Sequence, residues 1–271
     1  MESSSSFRVK KDAIAFTEFL SGSFCQNGRT DLEAICSDES LAVIIDNYHG
    51  YFDGVLVWDG NRFNIHMDSS KGNTLATKRG RFTLAHELGH YFIESHREGI
   101  RTGLIPSHPS SHSLIHSDRI ELEADFFAAN LLMPRDRFRT VSARNRVFSL
   151  DVIRDLSDYF DASLTAAILR FVEVGTHEIM VVFSQGNQVK WSLRSHDFPK
   201  LVNKFRNEGP LPPSTVAGES FLKANAQYTG VEKVDLEDWF EYRGWEPGRQ
   251  LYEQCLFSDM YNFVISLVWF Q

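Results

Sequence analysis

The stretch FTLAHELGHYF, residues 82 to 92, places His86, Glu87 and His90 on what its apolar pattern predicts to be one buried helix. Residues four apart on a helix share a face, so the two imidazoles project together and both reach one zinc ion. Glu87 lies beside them and suits a different task, holding a metal-bound water rather than the metal. Zinc lowers the pKa of that water to about 7, and a carboxylate then takes its proton during attack on a carbonyl. His86 and His90 are therefore candidate ligands, and Glu87 is the candidate general base of a metal-assisted hydrolysis. The competing explanation is a helix whose histidines merely pack. Gly89 argues against it: glycine inside a helix costs about 1 kcal/mol relative to alanine, tolerable where a second backbone must come close.

A catalytic zinc needs a third protein ligand and an open position. The stretch IELEADFFAANLLM, residues 120 to 133, offers Glu121 and Glu123 on a second helix. The two cannot both face the metal, because residues two apart diverge by about 200° around a helix. Glu121 shares its face with Ala124, Asp125 and Ala128, and the alanines permit close approach to the first helix. Asp125 is then placed to hydrogen-bond a ligand histidine from behind. The face of Glu123 carries Phe126, Phe127 and Asn130, which reads as packing and surface. Glu121 is accordingly the expected third ligand. Manganese or iron also suits a His/His/Glu set, so the donors do not single out zinc.

Several elements must position these residues. DAIAFTEFL (12–20) and TDLEAICSDESLAVII (30–45) read as short helices, the second capped by Thr30 or Asp31. In FDGVLVWDGNRFNIHMD (52–68), two β-branched apolar runs flank Asp59-Gly60, the dipeptide preferred by a type I′ hairpin turn. The second strand of that hairpin, at 62–67, is a candidate edge for docking an extended substrate by main-chain pairing. Residues 95–118 are rich in Ser, His, Pro and Gly and read as a long loop carrying His96, His108, His112 and His116. Those histidines read as members of a solvated, Ser-rich segment. Lys78, Arg79 and Arg81 crowd the start of the first metal helix; they read as a solvated basic turn, with a partner carboxylate or an acidic substrate as the alternative.

Beyond residue 149, DVIRDLSDYF and SLTAAILRF form two helices around DAS, with helix-turn-helix spacing. That segment is more acidic than basic, and its second helix has a single arginine, so direct nucleic-acid binding is not expected. EIMVVF and QVKWSLRS flank Gly186-Asn187, a second hairpin signal, and NFVISLVWF is a terminal strand. The organisation expected is α+β: residues 1–140 as the metal-binding domain, 141–175 as the helix-turn-helix-like region, and 176–271 as a small α+β domain for sensing or docking.

Composition bounds the setting. Apolar residues make up 42 % of the 271, enough for a real core. The formal charge of −8 argues against a surface that binds polyanions throughout. Three scattered cysteines, none in a CxxC, fit a reducing compartment better than a disulfide framework. No signal-peptide pattern opens the chain and no apolar stretch is long enough to span a bilayer, so a cytoplasmic location without membrane contact is expected.

RFTLAHELGHYF followed by IELEADFFAANLLMP resembles the ImmA/IrrE family of metallopeptidases, and the hairpin DGVLVWDGNRFNIHMD just upstream is similar to that family as well. The resemblance covers roughly residues 30 to 140 and is specific because the two motifs occur together. It implies a gluzincin-like core with zinc held by His86, His90 and Glu121, and Glu87 as general base. It further implies a protein substrate, a helix-turn-helix transcriptional repressor whose cleavage releases a stress or mobile-element response. A helix-turn-helix-like middle region and a variable, sensor-like C-terminal domain belong to the same pattern. The long histidine-bearing loop departs from it, and the resemblance does not extend to the C-terminal third. The alternative function is a regulatory or toxin–antitoxin module that uses the same fold chiefly to bind its partner. Retention of His86, Glu87 and His90 together favours chemistry over that alternative.

Overall fold

The computed structural model describes residues 4–105, 118–222, 230–241, 248–258 and 262–271. The chain divides into two units, residues 1–138 with 156–166, and residues 139–155 with 167–271. The architecture is mixed α+β, with small sheets.

In the first unit, α1 (Ser4–Phe24) leads into a two-residue ribbon, β1 (Cys25–Gln26) with β2 (Arg29–Thr30), and then α2 (Leu32–Asp38). Asp31 caps α2, its side chain accepting from the Ala34 amide at 3.0 Å. Thr30 instead donates its hydroxyl to the Leu131 carbonyl. The helix expected to run on to residue 45 stops at Asp38. Ala42–Asp46 is β3, a strand parallel to β5 (Phe63–Asp68). Periodicity cannot tell a short apolar run from a helix segment, and the β-branched Val43, Ile44 and Ile45 favour the pleated conformation once a partner strand is present.

β4 (Gly54–Trp58) and β5 form the expected antiparallel hairpin. Its connection is longer than a two-residue type I′ turn. Asp59 to Arg62 make a four-residue loop in which Asp59 Oδ1 accepts from the amides of Asn61 and Arg62, with Gly60 at φ 96°. The aspartate side chain substitutes for the turn's backbone acceptor, so the dipeptide signal located the hairpin but not its turn type.

The sheet order is β3-β5-β4. β5 therefore lies in the middle with both edges paired, which excludes it as the docking edge that the sequence suggested. Among the described residues the unpaired edges are those of β3 and β4. The core face of β5 carries Phe63, Ile65 and Met67, all buried, and Phe63 meets Tyr91 edge-on. Tyr91 belongs to α3 (Lys78–Phe92), which begins at an N-cap formed by Thr77 and is buried along nearly its whole length. Next comes α4 (Glu94–Thr102), where a loop was expected. It is polar almost all round; only His96, Gly99 and Ile100 are buried, too few to give a periodic signal. His108, His112 and His116 lie outside the described residues. α5 (Arg119–Leu132) is capped by Asp118 and ends before Pro134, as its sequence dictates.

α6 (Arg135–Ser142), α7 (Leu150–Tyr159) and α8 (Leu164–Val174) follow, and the chain passes between the two units within these helices. The second unit is built on an antiparallel sheet ordered β7-β6-β10-β9-β8: β6 (Ile179–Gln185), β7 (Gln188–Arg194), β8 (Glu232–Val234), β9 (Leu251–Ser258) and β10 (Phe263–Phe270). The β6–β7 hairpin turns on Gly186 and Asn187, at φ 56° and 62°, the pair of left-handed residues a type I′ turn requires. The central strand β10 is buried from Val264 onward, which explains its apolar run, interrupted only by the buried Ser266. α9 (Val216–Leu222) and α10 (Leu236–Trp239) complete the unit. The Glu253 carboxylate, fully buried, accepts from the Val216 and Ala217 amides and from Trp239 Nε1, tying both helices to β9. Among the described residues no helix is long and apolar enough to cross a membrane, and the three cysteines are free.

Candidate metal centre

α3 and α5 build the site. Gly89 makes their close approach possible: a Cβ there would lie 3.1 Å from both Cα and O of Ala124. The glycine that weakens α3 as an isolated helix is thus the place where the second backbone comes in, and Ala85, Ala124 and Ala128, all fully buried, keep the seam narrow.

Across that seam His86, His90 and Glu121 converge, all buried, with candidate ligand atoms within 4.8 Å of one another. The two Nε2 atoms are 3.1 Å apart. Each lies 3.3 Å from a Glu121 carboxylate oxygen, His86 from Oε2 and His90 from Oε1. A tetrahedral ion with bonds of about 2.0–2.1 Å spaces its ligands about 3.3–3.4 Å apart, so the spacing fits a shared cation.

The tautomers fit as well. His86 Nδ1 is 2.8 Å from Asp125 Oδ1. A carboxylate can only accept, so Nδ1 carries the proton and Nε2 presents its lone pair toward His90 and Glu121. Two imidazole nitrogens packed at that distance beside a carboxylate need a shared cation between them, a proton or a metal ion. The electrostatics agree. Burial alone would depress His86, but its hydrogen bonds to Asp125 and Glu121 and the charge of Glu87 raise it to about 10. Burial would raise Glu121, and the two histidines instead hold it far below the usual carboxylate range. The pocket stabilises a cation on the imidazoles, and a metal ion is the cation that this donor set suits.

Glu87 is buried next to the histidines, on the side of the β4 strand. Glu123, the alternative third ligand, faces elsewhere: it accepts from His96 Nε2 at 3.1 Å and from Arg119 Nε at 2.7 Å. His96 was not separable from its loop neighbours in the sequence, yet α4 buries it with its ring 5.2 Å from that of His90. Because Nε2–H is committed to Glu123, and because burial and the neighbouring His90 push the ring down to about 4, His96 is neutral and no cationic oxyanion donor.

The basic trio at the start of α3 meets partner carboxylates within the chain, with Lys78 and Arg79 still part-exposed and Arg81 buried. Arg79 pairs with the buried Asp53, Lys78 with Asp158, and Arg81 with Asp161 and the Thr30 carbonyl. Each cation ties α3 to another part of the first unit.

Residues 72–171 match the family model of the IrrE N-terminal-like domain. That segment is similar to IrrE N-terminal-like domains. It takes in α3, α5 and the converging His86, His90 and Glu121. It begins after the β4–β5 hairpin and runs on through α7 into α8, further along the chain than the sequence resemblance reached. A Mycobacterium tuberculosis transcriptional regulator of known structure has the same fold, with a TM-score of 0.61 at 12 % identity over 96 % of this chain and 76 % of the other. No curated protein matches the chain.

Asp125 gives the site its first testable detail. Asp125→Ala frees His86 to rotate and to change tautomer while leaving all three candidate donors in place. Zinc affinity is expected to fall about 10- to 100-fold, the usual effect of losing an outer hydrogen-bond partner. Competition titration against a chromogenic chelator measures it, and an unchanged affinity would remove Asp125 from the site.

Proposed function

We propose that this chain is a metal-dependent endopeptidase that cleaves a regulatory protein at a specific site, the substrate being a helix-turn-helix transcriptional repressor and the outcome a stress or mobile-element response. The observation that carries the proposal is the convergence of His86, His90 and Glu121 in a buried pocket, with Glu87 beside them and inside the IrrE N-terminal-like segment. Zinc is the proposed metal; manganese and iron suit the same donors.

His86, His90 and Glu121 would hold the ion, and Asp125 would keep His86 in the tautomer that ligates. The ion supplies Lewis acidity, which polarises a peptide carbonyl and acidifies water. Glu87 takes the proton of the attacking water and delivers it to the departing amide nitrogen, a transfer that its burial next to the histidines permits. An extended substrate has a strand edge to pair with at β4, unpaired among the described residues, whose first residue lies so near Glu87 that a Cβ there would meet it. The helix-turn-helix-like pair does not supply a DNA reader in this proposal: Arg170, the arginine of α8, is buried and paired with Glu173. The second unit is assigned sensing or docking.

The test compares newly formed protein N-termini, by mass spectrometry, in cells expressing the wild type or Glu87→Ala, with and without stress. One or a few termini that need the wild type and lie in a DNA-binding repressor are expected. Identical termini in the two strains under every stress would replace the peptidase with the partner-binding module.

A further inference from the structure

Gly54 is the first residue of β4, and it meets the candidate base directly. A Cβ built on it would stand 2.7 Å from Glu87 Oε1, 3.0 Å from Glu87 Cγ and 2.6 Å from Thr83 Cγ2. No left-handed backbone requires a glycine here, since the residue lies in an ordinary strand paired with Met67. The requirement is space: the main chain of β4 forms the wall against which the Glu87 side chain rests.

That wall is fixed from behind. Asp53, the residue before it, is buried and accepts from Arg79 Nη2 at 2.6 Å and from Asn73 Nδ2 at 2.9 Å. Asn73 in turn accepts through Oδ1 from the Thr83 hydroxyl at 3.0 Å and from Arg79 Nε at 3.2 Å. Arg79, Thr83 and Glu87 lie at successive four-residue intervals along α3. One face of the helix therefore grips Asp53 with its first turn, packs Thr83 under Gly54, and delivers Glu87 to the wall so made.

We propose that Gly54, locked by the Asp53–Arg79–Asn73–Thr83 network, is a positioning residue for Glu87. The inference rests on the reading of Glu87 as the base. A methyl group at position 54 has nowhere to go. Thr83 is stiff at χ1 and its hydroxyl is held, so the methyl is driven away from Thr83 Cγ2 and onto the flexible Glu87 side chain, which must yield. A displacement of about half an ångström or more is outside the tolerance of a preorganised site, and one of about 1 Å typically costs on the order of 100-fold in rate.

The experiment uses the full chain with Co2+ as the metal probe. It follows the pH dependence of the visible absorption, which needs no substrate, together with the cleavage rate once a substrate is in hand. Glu87→Gln sets the full effect. Gly54→Ala is expected to bind Co2+ at the wild-type stoichiometry, to shift the pH transition toward that of Glu87→Gln, and to lower kcat about 10- to 100-fold with KM within about twofold. Gly54→Ala combined with Thr83→Ser removes Cγ2, keeps the hydroxyl, and is expected to restore both readouts most of the way. The double variant also keeps the test decisive if Gly54→Ala alone folds poorly. If Gly54→Ala matches wild type while Glu87→Gln does not, or if the double variant shows no recovery, the positioning role is overturned. A Glu87→Gln protein with the wild-type transition and rate would overturn the base assignment itself, and with it this inference.

Discussion

Glu87→Ala is expected to lose cleavage almost completely while keeping one metal ion per chain. The expectation follows from a division of labour among the buried groups. The atoms suited to ligation are the two Nε2 atoms and the Glu121 carboxylate, converging within 4.8 Å. Glu87 lies on the side of the β4 strand, where its Oε1 rests against Gly54. Removing it takes away a proton acceptor and no member of the converging set. General base catalysis contributes about 10²- to 10⁴-fold, so a residual rate of 1 % or less of wild type is expected. Metal content by plasma mass spectrometry and cleavage of a purified repressor, measured on the same preparation, decide the matter. Wild-type cleavage would remove Glu87 from the mechanism. Loss of the metal together with the activity would make Glu87 part of the ligand set, and the geometric division above would be wrong.

The centre of the site was legible because it is local. His86 and His90 are one helical turn apart, and a four-residue spacing means the same face in any helix. Glu121 was separable from Glu123 for a similar reason: a helix divides its residues by angle, and only one of the two angles carried the small residues that let another helix approach. Gly89 and Ala124 then met in space as that argument required. What was illegible depends on contacts between segments far apart in the chain. β3 read as helix because Val43, Ile44 and Ile45 become a strand only when β5 lies alongside in parallel. The central position of β5 follows from that same pairing, so the docking edge was misplaced with it. Arg79 looked like a solvated charge because its partner Asp53 arrives from the start of the hairpin. Gly54 carried no signal at all: a glycine that makes room is indistinguishable in sequence from one that makes a turn. His96 was hidden in a helix whose outward residues are nearly all polar, and only its pairing with Glu123 marks it.

The choice between the two glutamates can be put to the same kind of test. Glu121→Ala is expected to weaken zinc binding by more than about 100-fold, beyond the 10- to 100-fold typical of an outer partner. It removes the carboxylate that lies 3.3 Å from both imidazoles and leaves two histidines, too few for a tight site. Glu123→Ala should change zinc affinity by less than about tenfold, because it removes an outer carboxylate that His96 and Arg119 already engage. Its cost falls on the fold instead. His96 Nε2–H is left buried without an acceptor, worth about 1–3 kcal/mol, whereas Arg119 is half exposed and turns to water. The two variants should therefore separate on two axes: Glu121→Ala in the titration of zinc into metal-free protein, and Glu123→Ala in the melting temperature of the metal-free protein. The reverse order in the titration would mean that α5 presents its other face to the metal. In that case Asp125, which shares the Glu121 face, could not orient His86 either, so the two assignments stand or fall together.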